Sequence, residues 1–491
     1  MQLRPSQIAP EVNGVINTLE KAGFEAWVVG GCVRDLLLGL KPKDWDITTN
    51  ANPEQIQSLF ENTFYTNEFG TVGVVSEGIK DESLKVIEVT PYRLEGKYSD
   101  ARRPDTVEWG KVLEDDLKRR DFTINAMSYS PSKGQLVDLY DGIKDMSDRI
   151  IRAVGDPRQR FEEDSLRILR AVRIAAVLGF AIESGTRNAM ETCATQLGKI
   201  SKERIRDEFV RILLSPQPMK TLILSHEIGI LGYIVPELEE AMGIEQNQAH
   251  TYDVFEHSLR SLQHAADKGW GLEIRLAALF HDLGKPKSRR FAGDKKDWTF
   301  HGHEVIGAKI GKKRLDELKF SREIVTKVTT LVRWHMFFSD PDKVTLSAVR
   351  RIITNVGKEN IWDLINLRIC DRIGTGRPKE QPFRLRKYQA MIEQALRDPI
   401  SVGMLKIDGR RLMDVTREAP GPRVGWILHA LLEEVLDNPE KNTEEYLEGR
   451  AGELAGLSDK ELHELGKGGK EKKNEAEEQE IKDIQKKYFV E

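Results

Sequence analysis

Two aspartates one residue apart, Asp44 and Asp46, follow the block Gly30-Gly31-Cys32-Val33-Arg34-Asp35 by nine residues. A carboxylate pair of this kind can hold two Mg²⁺ ions, which keep waters of their own and bind phosphate oxygens of a substrate. Such a site activates an attacking oxygen and neutralises a departing pyrophosphate. Gly30 and Gly31 allow backbone amides to approach a triphosphate, and Arg34 adds a charge-assisted contact. An isolated Asp-x-Asp is common at solvated turns, but the glycine block in front of it shifts the balance toward chemistry. The reaction these residue types support is nucleotidyl transfer.

The elements around them must deliver both groups to one place. The apolar run Trp27-Val28-Val29 leads into the glycines, and an amphipathic stretch from Val33 to Leu38 leads out. Side chains alternate along a strand, so Asp44 and Asp46 are expected on one strand, projecting from the same side. Strand-like runs recur as EAWVVG, WDITT, TVGVV, LKVIEVTPY and QLVDLY, and Asn50 and Asn52 can cap a helix from Pro53 to Phe60. Glu88, within one of these runs, is a third acidic group for the metals. Residues 1–150 therefore read as a mixed α/β palm. Beyond Asp156 the strand signal stops, and Glu162–Leu178, Lys202–Leu213, Leu272–Phe280 and Trp426–Leu436 show helical spacing. The fold class expected is α+β, a mixed palm followed by a mostly helical remainder.

At 491 residues the chain should form several domains. Its net charge is only −4, no run of about eighteen apolar residues occurs, and the first residues lack the apolar core of a signal peptide. Cys32, Cys193 and Cys370 have neither zinc-finger nor disulfide spacing, so a cytoplasmic setting is expected. A pI of 6.3 does not advertise nucleic-acid binding, for which a local basic face would suffice.

Four further segments carry chemistry. Residues Tyr92–Asp105 are dense in both charge signs and read as a surface loop. In Lys118–Met127, adjacent arginines precede Asp121, Thr123 and Asn125, a cluster suited to phosphate and ribose hydroxyls. In Glu163–Arg173 the apolar residues form a core-facing stripe, and Asp164, Arg167 and Arg170 share one side of the expected helix, with Arg173 pointing away. On spacing alone these are salt-bridging surface charges. The alternative is a carboxylate and a guanidinium reading base edges. The fourth segment holds His250, His257, His281-Asp282, His301, His303, His335 and Asp371. His281-Asp282 ends a very apolar helix, where buried charge needs partners, and imidazole with carboxylate suits Mn, Fe, Ni or Zn. Residues 376–379 and 384–388 make a basic stretch, and the charged end from about Leu457 reads as an accessory tail, helical or disordered.

Taken together, Gly-Gly-Cys-Val-Arg-Asp, Asp-Trp-Asp, Arg-Arg-Asp-Phe-Thr-Ile-Asn-Ala-Met and Glu-Asp-x-x-Arg-x-x-Arg resemble the class II tRNA CCA-adding enzymes and bacterial poly(A) polymerases, within the polymerase-beta-like nucleotidyltransferases. The resemblance implies a head at residues 1–150, a helical neck at 151–240 and an HD-type metal-binding domain at 241–375. It further implies a helical, RNA-contacting body at 376–455, with the tail at 456–491. It implies Asp44 and Asp46 as catalytic Mg²⁺ ligands. Gly30, Gly31, Arg34, Arg120, Asp121, Asn125, Asp164, Arg167, Arg170 and Arg173 become nucleotide contacts, with Asp164 and Arg167 selecting the base. The HD pattern implies His257, His281, Asp282 and Asp371 as ligands of a transition metal, with His303 and His335 available to a second ion. The substrates implied are tRNA, CTP and ATP. Poly(A) synthesis or A-only addition shares the head motifs, and a phosphohydrolase acting on RNA ends would use the HD residues. The loop at 92–105 argues against addition of C alone.

Overall fold

The apolar run before the glycines forms β1 (Ala26–Val29), buried along its whole length at the middle of a sheet. Six more strands join it: β2 (Asp46–Thr49), β3 (Thr63–Tyr65), β4 (Val72–Val75), β5 (Val86–Pro91), β6 (Met127–Ser130) and β7 (Gln135–Asp138). Their order is β3-β4-β5-β2-β1-β6-β7, with β2 and β5 parallel and the other neighbours antiparallel. Central strands covered on both faces are continuously apolar, as Trp27-Val28-Val29 is. The computed structural model describes residues 3–66, 70–95, 107–247, 250–293, 296–337, 344–397 and 402–490.

The chain divides into two units, Met1–Arg333 with Asn366–Arg377, and Trp334–Ile365 with Pro378–Glu491. In the first, α1 (Pro10–Lys21), α2 (Gly31–Leu37) and α3 (Leu113–Lys118) accompany the sheet. Helices α4 (Pro157–Glu163), α5 (Leu166–Leu178), α6 (Lys202–Leu213), α7 (Val254–Asp267), α8 (Leu272–Phe280) and α9 (His303–Glu317) follow, and α10 (Ile361–Gly374) contributes its part from Asn366 onward to this unit. No helix among the described residues is long and apolar enough to cross a membrane.

In the second unit the charged end takes the helical of the two forms expected for it. This unit contains α11 (Phe383–Leu396) and α12 (Pro422–Asp437), and residues Asp459–Lys487 form one helix, α13, packed along α12. Gly466 and Gly469 make this approach feasible: a Cβ at Gly469 would lie 2.2 Å from the His429 carbonyl oxygen, and one at Gly466 2.8 Å from the Trp426 Cα. Leu462 joins the core of α12, and Ile484 and Val490 pack with Ala390 of α11. With few apolar anchors of its own, this helix is docked largely by backbone proximity.

Candidate active site

The first correction concerns the carboxylates. Strand β2 begins at Asp46, and Asp44 precedes it in an exposed bend. Trp45, between them, is buried. Asp46 instead has a strand neighbour: it stands opposite Glu88 of β5 in the parallel register. Burial, and then Asp44, push the Asp46 carboxyl up to about 7, against the pull of Arg120. Burial and Asp44 raise Glu88 as well. Asp46 and Glu88 are partly buried beside the exposed Asp44, and acidic oxygen donors that crowd one another in this way fit a hard divalent cation. Gly30 caps α2 with φ +86°, and a Cβ there would come 2.9 Å from Arg120 Nη1 and 3.4 Å from Asp46 Oδ2. Glycine is required both by the backbone angle and by the space that brings Arg120 beside Asp46.

A residue outside the sequence-based expectations fixes that arginine. Asp116, fully buried on α3, accepts from Arg120 Nη2 at 2.8 Å and Nε at 3.2 Å, and its other oxygen accepts from Arg119. Burial opposes its ionisation, but the two guanidinium groups prevail and hold Asp116 at about 2. The only signal in the sequence is spacing, an acid three and four residues before paired arginines.

A second network joins the remaining head residues. Arg34 donates to Asp35 Oδ1 at 2.7 Å through Nη2 and to Asn125 Oδ1 at 2.7 Å through Nη1. Asn125 donates to Asp121 Oδ1 at 3.1 Å, and Arg170 reaches Asp121 Oδ2 at 2.8 Å from the neck. Burial works against the Asp121 carboxylate, yet Arg170 and Asn125 keep it ionised well below the usual range.

The second correction falls on the base-selection segment. The expected helix Glu162–Leu178 is two helices: Asp164 leaves helical geometry (φ −147°, ψ 100°) and ends α4. The cause is local. Asp164 Oδ1 accepts from Leu166 N at 3.1 Å, and Ser165 Oγ donates to Phe161 O at 2.9 Å, so side chains replace the helical ladder. Asp164 therefore does not share a helix face with Arg167 and Arg170. It still meets them, because Arg119, Arg120, Asp121, Asp164, Arg167 and Arg170 all line one cavity of about 380 Å³, the size of a small-ligand site. Arg204, Asp207, Glu208 and Arg211 of α6, absent from the sequence-based expectations, form its other wall. Arg173 is not part of the lining; it donates to Glu208 Oε2 at 2.9 Å. Arg167 is tied to Glu163 Oε2 at 2.8 Å and to the Arg119 carbonyl at 2.9 Å. Most of the expected loop, residues 96–106, lies outside the described residues.

The histidine-rich segments converge on a separate cluster. One ligand atom each from His257, His281, Asp282 and Asp371 lies within 4.8 Å of the others, and all four residues are buried. His257 Nε2 is 2.9 Å from His281 Nε2, 3.0 Å from Asp282 Oδ2 and 3.5 Å from Asp371 Oδ1. His281 Nδ1 faces the Ala278 carbonyl at 2.8 Å, which turns Nε2 inward. His303 Nδ1 is held likewise by Phe300 O at 2.7 Å, leaving its Nε2 3.3 Å from Asp282 Oδ1. Burial opposes charge on Asp282 and Asp371, but Lys285 and Arg368 respectively keep both ionised. Two inward imidazole nitrogens and two ionised carboxylates fit a transition metal. His335 is buried and belongs to the second unit. Gly374, on α10, permits the assembly: a Cβ there would lie 2.2 Å from Ser261 Oγ and 3.0 Å from His257 Nδ1.

Comparisons with known proteins agree in all three regions. The poly A polymerase head domain model matches residues 26–152, the probable RNA and SrmB-binding site of polymerase A matches 179–242, and the HD domain matches 254–373. The chain is 33% identical over 446 residues to the CCA-adding enzyme of Leuconostoc mesenteroides, covering 89% of this chain and 95% of that one. It is 33% identical over 438 residues to the CCA-adding enzyme of Lactiplantibacillus plantarum, with 88% and 93% covered. Among solved structures, the Bacillus stearothermophilus CCA-adding enzyme in complex with CTP matches with a TM-score of 0.57 at 27% identity, over 91% of this chain and 98% of that one. With 33% identity to these relatives over nearly the whole of both chains, the chain belongs to the CCA-adding enzyme family.

Proposed function

We propose that the chain adds C and A, from CTP and ATP, to the 3′ end of tRNA without a nucleic-acid template. The observation that carries this reading is the cavity shared by head and neck, in which Arg120, Asp121 and Arg170 lie with Asp164 and Arg167 while Gly30 seats Arg120 beside Asp46. In the reaction the RNA 3′ oxygen bonds to the α-phosphorus as the bond to pyrophosphate breaks. Asp44 and Asp46, with Glu88 alongside, would hold Mg²⁺, which would supply activation of that oxygen and neutralisation of the leaving charge. Arg34 and Arg120 bind triphosphate oxygens, and Gly30 and Gly31 let the backbone come close. Asp121 and Asn125, fixed by Arg170 and Arg34, address the ribose. Asp164 and Arg167 read the base edge, and Arg173 supports that wall through Glu208. The neck and body bind the tRNA, and the setting is cytoplasmic.

Supplying CTP and ATP, singly and together, to tRNA lacking its CCA end tests the assignment. Two C and one A should be added in order when both are present, and A alone should not be added to the bare end. Extension of unrelated RNA 3′ ends by ATP alone would identify a poly(A)-type enzyme instead.

The buried cluster is proposed to bind one transition metal through His257, His281, Asp282 and Asp371, with His303 as a further imidazole. His281→Ala should reduce bound Mn, Fe, Ni or Zn, measured by elemental analysis of the purified chain, from about one per chain to near zero. Nucleotide addition should stay within about twofold of the parent, because the head cavity shares no residue with the cluster. Unchanged metal content in His281→Ala would remove this ligand assignment.

A further inference from the structure

Asp164 does not stand alone in the cavity. Its Oδ2 accepts from Arg204 Nη2 at 2.7 Å, across the gap between the break after α4 and the helix α6. Its Oδ1 is occupied by Leu166 N. The two bonds act at opposite ends of the carboxylate and so fix both its position and its plane. With α4 already ended at Asp164, the backbone offers the side chain no helical register, and Arg204 is the side chain that sets its direction. Arg167, by contrast, receives its orientation from Glu163 and the carbonyls of Arg160 and Arg119, independently of α6.

Arg204 also looks poorly suited to a merely structural part. Its Nη1 is buried and has no hydrogen-bond partner among the described residues. A guanidinium placed for stability alone would satisfy its donors, because a buried unpaired donor costs stability. The pair sits on the lining of the cavity rather than behind it.

We propose that Arg204 is a positioning residue for base selection, acting through Asp164. This rests on Asp164 being a base-reading group. The carboxylate must accept from the exocyclic amino group that cytosine and adenine share and that uracil lacks. Its lone pairs discriminate only if they point at that amino group, and Arg204 holds them there. Without Arg204 the carboxylate can rotate, and the distinction between amino and carbonyl edges weakens.

The test uses the full chain and steady-state incorporation of CTP, ATP, UTP and GTP into tRNA lacking its CCA end. Arg204→Gln should raise KM for CTP and ATP about tenfold with a smaller change in kcat, and raise UTP use relative to CTP about tenfold. Arg204→Lys, which keeps the charge without the fork, should fall between parent and Gln. The double variant Asp164→Asn/Arg204→Gln should be no less selective than Asp164→Asn alone. A uniform loss with all four nucleotides, in either Arg204 variant, overturns the proposal, as does unchanged selectivity. If Asp164→Asn leaves selectivity untouched, the base-reading role fails and the proposal with it. If Asp164→Asn relaxes selectivity and both Arg204 variants do not, only the role of Arg204 falls.

Discussion

Asp46→Asn is expected to lower nucleotide addition at least about a thousandfold, because a metal-binding carboxylate is asked for several kcal/mol at the transition state and each 1.36 kcal/mol is tenfold. The variant is nearly isosteric, so Gly30 and Arg120 keep their places around it. Arg120 is held by Asp116 rather than by Asp46, and CTP binding by equilibrium dialysis should therefore stay within a few-fold of the parent. A variant retaining a tenth of parental turnover would remove Asp46 from the catalytic assignment. Stability should move the other way in metal-free buffer. The Asp46 carboxyl is raised to about 7 by burial and by Asp44, above its unfolded value of about 4. A raised carboxyl means the fold disfavours the charged form, so the cost is absent below about pH 4, grows to about pH 7 and is flat above. With a chelator, Asp46→Asn should melt above the parent at pH 8 and with it at pH 4, and saturating Mg²⁺ should close the gap at pH 8.

The elements that carry a local signal were legible in the sequence. Continuous apolar runs gave five strands of the sheet, and the turn at Gly30 announced itself by composition. His281-Asp282 at the end of the apolar α8 pointed to a buried polar cluster, and the structure assembles one there. What escaped was set by long-range or competing interactions. Periodicity ran unbroken from Glu162 to Leu178, yet Asp164 and Ser165 bonded to the backbone and split the helix. The strand begins only at Asp46, so Asp44 lost the strand that alternation assigned to it. Arg204 and Glu208 are ordinary helix charges until α6 packs opposite Asp164 and Arg173. The charged end read as helical or disordered, and what composition left open was its docking, which depends on glycines at the contact with α12 that weaken a helical pattern while permitting the approach.

Asp116→Asn should be damaging although Asp116 touches no proposed substrate. It is fully buried and ionised, and it carries both Arg119 and Arg120. Removing its charge leaves two arginines, each about one-sixth exposed (16% and 17%), without their shared counter-ion. Breaking a buried pair in this way costs roughly 3–5 kcal/mol, which for a unit of a few hundred residues lowers the melting temperature by roughly 10 °C. The pH dependence has a definite sign. Asp116 is held at about 2, below the ordinary value, so its contribution is complete above about pH 4 and lost as pH falls through about 2. The melting gap between parent and Asp116→Asn should thus be constant from pH 8 to pH 5 and begin to close only below about pH 4. Catalysis should suffer through geometry. Arg120 reaches the space beside Gly30 and Asp46 because Asp116 fixes it from behind. A freed Arg120 would misplace the nucleotide, and kcat/KM for CTP should fall about a hundredfold, with kcat falling more than KM rises. Measured below the lowered melting temperature, that loss separates positioning from instability, since a change in stability alone would leave the folded fraction working at the parental rate.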